Sequence, residues 1–324
     1  MNPQDFYKLI EEDLVEVERE LVRETSSNVR IIEEIGRYIQ RSGGKRIRPA
    51  LLLLSARVFG THGPSCHRLA AVMELVHAAT LLHDDIIDDA EVRRGRPSVN
   101  ARWGNEITVL MGDWLYMTSF TMALAQREYR ILDILADVTR RMVEGELIQL
   151  GLNGNLEITE EQHLDVSMRK TAFLFSACTE IGGILGAADP EQQERLKLYG
   201  QNVGMAFQLV DDVLDLTSTE TQLGKPVGSD LREGKLTLPL IYLVRDGRPE
   251  HRQLVATVLL ENGFTSVRRE AILDLLREYR SVERVLEKAR SYASRAKESI
   301  SALPSSPARA ALSMIPDFIV ERDR

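Results

Sequence analysis

The apolar positions of this chain recur mainly at three- and four-residue intervals, a spacing that predicts helices. Residues 6–21 place Leu9, Ile10, Leu14, Val17 and Leu21 on one face with acids opposite. This predicts a peripheral helix over about residues 5–24, with a packing role on the bundle or on a partner subunit. Ser42, Gly43 and Gly44 interrupt the pattern, and Pro49 is placed to open the next helix. Residues 68–89 predict a long apolar helix, and residues 107–125 another that carries Trp114, Tyr116 and Phe120. A further helix ends near Gly151, before a turn at Asn153, Gly154 and Asn155. The small apolar run GGILGA at 182–187 permits close helix packing and lacks the GxGxxG spacing of a dinucleotide site. Residues 217–235 are polar and contain glycine, long enough to predict a functional lid. Helical patterns resume over 236–244, 255–260 and 272–300, with Pro249, Gly263, Pro304 and Pro307 as punctuation. The expectation is an all-α chain, one domain over residues 1–324, with antiparallel helices around a deep central cavity.

Acids break the apolar pattern in two places. Asp84, Asp85, Asp88 and Asp89 end the long helix, and Asp211, Asp212 and Asp215 repeat the spacing in FQLVDDVLDL. At about 100° per residue, the first four carboxylates fall within an arc of about 140°. Two such groups about 6 Å apart repel by roughly 3 kcal/mol at an effective dielectric near 20. A single acidic cluster is commonly just a solvated face. A second cluster with the same spacing, with Gln208 close to its arc and basic residues nearby, suits Mg²⁺ holding a diphosphate, because Mg²⁺ takes a few carboxylates plus phosphate oxygens. Arg93 and Arg94 follow the first cluster, and as neighbours their side chains diverge, which suits two diphosphates better than one. The Lys45, Arg46, Arg48 loop offers a third cationic group but is no Walker-type loop, since GxxxxGK with Ser or Thr does not occur. His77 lies about 20° from Asp84 on the helical wheel, two turns below it.

Composition narrows the classes. A formal charge of −8 gives no basic footprint for nucleic acid. Cys66 and Cys178 make neither a disulfide framework nor metal-ligand spacing, which fits a reducing, cytoplasmic setting. The acidic N-terminal stretch does not read as a signal peptide, and no apolar run approaches the roughly 20 residues of a transmembrane segment.

On these residues the chain resembles the trans-isoprenyl diphosphate synthases, which make farnesyl, geranylgeranyl and longer polyprenyl diphosphates. The matching stretches are GGKRIRP (43–49), LLHDDIIDDAEVRRGRPS (81–98), GD (112–113), EGEL (144–147), KT (170–171), FQLVDDVLD (207–215) and GKPVGSDLREGKLTLPL (224–240). The resemblance implies the isoprenoid synthase fold, a homodimer, and head-to-tail condensation of isopentenyl diphosphate with an allylic diphosphate such as farnesyl or geranylgeranyl diphosphate. It implies about three Mg²⁺ per active site, held by Asp84, Asp85, Asp88, Asp211, Asp212 and Asp215. It assigns Lys45, Arg48, His77 and Arg94 to isopentenyl diphosphate, and Arg93, Lys170, Thr171, Gln208, Lys225 and Lys235 to the allylic diphosphate, with Arg93 and Lys170 also acting in catalysis. Asp230 and Glu233 are weaker candidates for orienting those lysines. The released pyrophosphate takes the proton.

In that family, bulky residues four or five positions before the first motif aspartate stop the product early. Here these are Thr80 and Ala79, both small, with Val76 and Met73 farther down. Met73, Tyr116 and Phe120 are candidates for the tunnel floor. A long-chain product around octaprenyl or solanesyl follows, of the kind used for quinone side chains. A geranylgeranyl or farnesyl diphosphate synthase is the alternative within the family. A terpene cyclase has no use for the second diphosphate site of Lys45, Arg48 and Arg94. A non-catalytic isoprenoid-binding regulatory subunit is expected to lack acids from one cluster, whereas both are complete.

Overall fold

The computed structural model describes residues 5–41, 43–219 and 227–322. A 3₁₀ turn at Asp5–Ile10 leads into α1 (Glu11–Glu24), α2 (Arg30–Arg41), α3 (Ile47–Val58) and α4 (Pro64–Ile87). A hairpin of β1 (Val92–Arg93) and β2 (Arg96–Pro97) and the short α5 (Val99–Trp103) precede α6 (Asn105–Leu124) and α7 (Tyr129–Leu152). Next come α8 (Glu160–Ser167), one π-helical turn at Met168–Ala172, α9 (Phe173–Leu185) and α10 (Pro190–Thr217). The chain continues with α11 (Ser229–Arg232), α12 (Leu238–Asp246), α13 (Pro249–Leu260), α14 (Arg269–Glu278), α15 (Ser281–Ile300) and α16 (Pro307–Glu321).

The all-α expectation holds, with the four-residue hairpin the one sheet among the described residues. Helix starts follow local chemistry. The α4 helix opens a turn earlier than its apolar pattern, because Pro64 has the φ a first helical turn needs and no N–H to leave unpaired. Asp189 with Gln192, and Thr159 with Gln162, close capping boxes at α10 and α8. Where one apolar pattern ran from 272 to 300, Arg280 takes φ +50° and splits it into α14 and α15.

Buried side chains form two clusters that share α10. Leu196, Tyr199 and Val203 belong to the first, with α1, α3, α4, α6, α7, α9 and α16. Leu209, Val210 and Val213 belong to the second, with α12 to α15. The GGILGA run packs closely: a Cβ on Gly182 would lie 2.5 Å from the Leu52 carbonyl oxygen and 2.6 Å from Ser55 Cβ on α3. The N-terminal segment buries Phe6, Ile10, Val17 and Leu21 in the first cluster. No helix among the described residues is long and apolar enough to cross a membrane.

Candidate active site

The first acids stand at the C-terminal end of α4, where the helix dipole is unfavourable to negative charge. Cations answer it. Asp85 is buried and accepts from both Nε (2.8 Å) and Nη2 of Arg93, while its backbone carbonyl accepts from Asn100 Nδ2 at 3.1 Å. Asp88 accepts from Lys235 Nζ at 2.8 Å, and the same ammonium reaches Glu233 at 2.8 Å. Burial opposes the charge on Lys235, but Glu233, Asp88 and Asp230 outweigh it and hold the ammonium above its ordinary range. Burial lifts Glu233 to about 7. The Asp84 carboxylate makes no hydrogen bond or ion pair among the described residues. Burial raises it to about 6, against the pull of Lys170 and with Glu146 and Asp88 adding to the rise.

The hairpin explains how two adjacent arginines serve different places. Arg94 and Gly95 both have positive φ, 53° and 72°, as a type I′ turn requires. Arg93 is thereby sent to Asp85, and Arg94 Nη1 donates to the Gly43 carbonyl. The expected divergence of the pair is built into the turn.

The second cluster is sorted by its surroundings. Asp212 is buried, with His163 Nε2 and Gln208 Nε2 each 2.8 Å from its carboxylate oxygens. Thr171 Oγ1 donates to Gln208 Oε1 at 2.7 Å, which extends this chain to the π turn. Asp215, also buried, accepts from Ser229 Oγ at 2.8 Å and from the Asp230 backbone N–H at 3.2 Å, so it anchors the segment leading to Lys235. Asp211 is the open member, its side chain 53% exposed. Arg322 stacks on Phe207 and donates to Asp211 Oδ1 at 3.1 Å.

Lys170 and Thr171 sit on the π turn, a geometry that recurs at functional sites. Two glycines let neighbouring helices close on it: a Cβ on Gly145 would lie 2.7 Å from Arg169 Cβ, and one on Gly204 2.5 Å from Ala172 Cα. Lys170 Nζ pairs with Glu146 at 2.5 Å. In the basic loop, the Arg48 guanidinium lies over the Phe175 ring at 4.8 Å, with its Nε buried and without a hydrogen-bond partner among the described residues. Burial lowers the pKa values of Arg48 and Arg94. Burial, then Arg48, Arg94, Arg93 and Arg46, hold His77 far below its ordinary value, so it is neutral. A pocket partly open to solvent is lined by Arg46, Glu74, His77, Ala78, Leu82 and Arg94 among others. Lys45 is exposed, and Lys225 lies outside the described residues.

Of the chain-length candidates, Met73, Val76 and Ala79 are fully buried, so they border no open space in this conformation. Thr80 is half-buried, its hydroxyl bonded to the His77 carbonyl at 2.8 Å. Tyr116 feels the charge of Asp84 and lies against His83, which places it beside the acids rather than far below them.

His163, Ser229, Glu146 and Arg322 touch the motif residues, yet no spacing in the chain marks them for that place. Glu146, in EGEL, and Ser229, in the stretch 224–240, lay in matched motifs, whereas His163 and Arg322 lay in none.

Among the described residues no group of three or more His, Cys, Asp and Glu side chains could hold a metal ion unaided. The donor set nevertheless fits Mg²⁺. The donors are hard carboxylate oxygens, the half-buried Asp84 carboxylate has no hydrogen-bond partner among the described residues, and Mg²⁺ needs only one or two carboxylates once substrate phosphates complete its shell.

A family model described as polyprenyl synthetase matches residues 29–275. The octaprenyl diphosphate synthase of Escherichia coli (strain K12) is 38% identical over 324 residues, covering all of both chains. A short chain isoprenyl diphosphate synthase of Methanothermobacter thermautotrophicus is 35% identical over 95% of this chain and 96% of that protein. Among solved structures, a polyprenyl synthase from Caulobacter crescentus CB15, complexed with calcium and isoprenyl diphosphate, superposes with a TM-score of 0.95 at 33% identity, over 100% of this chain and 98% of that one. With identity running the whole length of the chain and the fold shared, this protein belongs to the polyprenyl synthetase family and is a trans-prenyltransferase acting on isoprenyl diphosphates.

Proposed function

We propose that the chain condenses isopentenyl diphosphate with farnesyl or geranylgeranyl diphosphate to give a long-chain polyprenyl diphosphate, around octaprenyl or solanesyl, in a Mg²⁺-dependent reaction. The observation that carries the site assignment is the 2.8 Å bond from Lys235 to Asp88. It joins the segment anchored on Asp215 of the second acidic cluster to the end of the first. Lys170 is close enough to Asp84 to shift its ionisation, so cations and acids of both clusters share one region.

Asp84, Asp88 and Asp211 would hold Mg²⁺ first: the Asp84 carboxylate has no hydrogen-bond partner among the described residues, and Asp88 and Asp211 are held by the long, movable side chains of Lys235 and Arg322. Asp85, Asp212 and Asp215 complete the motifs and keep neighbouring groups in place. Bound there, Mg²⁺ supplies Lewis-acid neutralisation of the departing pyrophosphate. The chain itself preorganises the remaining positive charge through Lys170, Lys235 and Arg93, with Lys225 as a further candidate. Thr171 and Gln208 orient the allylic diphosphate. Lys45, Arg48 and Arg94 bind isopentenyl diphosphate by charge and by the planar guanidinium fork, and neutral His77 adds a hydrogen bond without a charge.

The small Thr80 and Ala79 favour a product well beyond three isoprene units. The growing chain must part the buried side chains of Val76 and Met73 as it lengthens. A Thr80→Phe variant is expected to shorten the product, read by mass spectrometry after dephosphorylation; unchanged chain length would remove Thr80 from the wall. The same assay on the parent chain, with radiolabelled isopentenyl diphosphate and defined primers, tests the function. Long-chain product that disappears with chelator and returns with Mg²⁺ is the expected result, and a C15 or C20 product establishes the shorter-chain alternative.

The protein acts as one domain over residues 1–324, as a cytoplasmic homodimer. Leu110, Met117 and Leu147 are more than 60% exposed on α6 and α7. Apolar exposure of this kind marks an association surface, and a second copy is its occupant. Equilibrium sedimentation is expected to give the mass of two 36.6 kDa chains, and a monomer at micromolar concentration would reject the assignment.

A further inference from the structure

The basic loop at residues 43–48 is gripped from outside by a segment that precedes the matched family region, residues 29–275. Tyr7 OH donates to the Lys45 backbone carbonyl. On α1, Glu18 receives Arg46 through both carboxylate oxygens, from Nε and from Nη2 at 3.2 Å. The third corner is Glu74 on α4, 8% exposed, which accepts from Arg46 Nη1 at 2.6 Å. Arg46 is thus a strut between α1 and α4.

The strut holds a backbone that does not hold itself. Arg46 has φ +50°, a left-handed conformation that is unfavourable for a residue with a Cβ and persists only when the surroundings impose it. Its neighbour Gly44 is tightly framed, since a Cβ there would lie 3.2 Å from Nη1 of both Arg46 and Arg94. The loop therefore passes between the Arg46 strut on one side and Arg94 on the other. Arg94 also donates to Gly43.

We propose that the N-terminal segment is a positioning element for the isopentenyl diphosphate site: Tyr7 and Glu18, acting through Lys45 and Arg46, preset the loop so that Lys45 and Arg48 meet the diphosphate without a separate ordering step. Arg46 is then a structural tie and not a diphosphate ligand. The inference rests on the assignment of Lys45, Arg48 and Arg94 to isopentenyl diphosphate. The fraction of chains with the loop in place multiplies the affinity directly, so releasing one tie acts on the Michaelis constant for that substrate alone.

The test uses full-length Glu18→Ala and Tyr7→Phe, with Arg94→Ala as control. Glu18 is 44% exposed and Tyr7→Phe keeps the ring, so neither change threatens folding. Each is expected to raise the Michaelis constant for isopentenyl diphosphate about fivefold, with kcat and the constant for the allylic substrate held within about twofold. Glu18→Gln, which keeps an acceptor, should recover part of the loss. If Arg94→Ala raises the constant for isopentenyl diphosphate and the two N-terminal variants do not, the positioning role is wrong. If both substrates and the melting temperature suffer together, the segment is only structural and the proposal is likewise overturned. If Arg94→Ala affects only the allylic substrate, the underlying site assignment is the part that fails.

Discussion

Asp84→Ala is expected to lower turnover at least about 100-fold in a chain that still folds, because the leaving diphosphate loses a metal-holding carboxylate where charge develops. The stability half of the prediction has a definite sign. The Asp84 carboxylate has no hydrogen-bond or ion-pair partner among the described residues, and burial raises it from 3.8 to about 6. The folded chain thus holds the proton more tightly than the unfolded one. In metal-free protein the group therefore costs stability that appears as pH rises through about 4 to 6, on the order of 3 kcal/mol when complete. Asp84→Asn should accordingly be more stable than its parent at pH 7 in chelator, and the difference should vanish below pH 4. Denaturant unfolding at the two pH values measures this. Near-normal turnover in folded Asp84→Ala protein would remove the residue from the reaction, and a marked loss of stability would show an undetected structural partner.

Arg93→Ala is expected to damage both fold and reaction. It strips the guanidinium from Asp85, whose side chain is 3% exposed and whose carboxyl burial already raises despite Arg93. Breaking a fully buried pair from one side costs about 3–5 kcal/mol, since the remaining charge is left without compensation, and because the Arg93 side chain is 35% exposed the loss here should fall below that range. The folded-state pKa of Asp85 then climbs further, so the loss is largest above it and shrinks as the group is protonated. The unfolding midpoint should therefore recover toward that of the parent as the pH is lowered and the carboxyl takes up its proton. Turnover should fall at least about 100-fold as well, because charge aimed at the allylic diphosphate is lost. A variant as stable as its parent at pH 7 would contradict the buried pair. Arg93→Lys is expected to restore only part of either property, because an ammonium lacks the fork that makes two bonds to one carboxylate oxygen.

Much of the site was legible because its signals are local. DDIIDD and DDVLD each place their acids on one helix, where identity and about 100° per residue already give a face. Arg93 and Arg94 are neighbours, so their divergence follows from the chain, although the positive φ of Arg94 that produces it does not. The long helix ending in Asp84 was visible from its apolar spacing; its start at Pro64 was displaced by one turn because proline chemistry outweighs periodicity there. The π turn under Lys170 was not legible, since it depends on how closely α7 and α10 approach through Gly145 and Gly204. The N-terminal helix read as a packing element because amphipathic spacing shows which face is buried and says nothing of Tyr7 and Glu18 reaching the loop at residues 43–48.

Composition and spacing alone determined the helical class, the two acidic faces and the kinds of cation opposed to them, since these depend on residue identity and on separations within single helices. Only the tertiary structure decided which acids stay open. His163 and Gln208 occupy Asp212, Ser229 and the Asp230 N–H occupy Asp215, Arg93 occupies Asp85, and the half-buried Asp84 carboxylate is left without a hydrogen-bond or ion-pair partner among the described residues. The physical reason is that satisfying a buried carboxylate takes donors within about 3 Å, and most of these donors come from other segments that only the packing of the chain brings together.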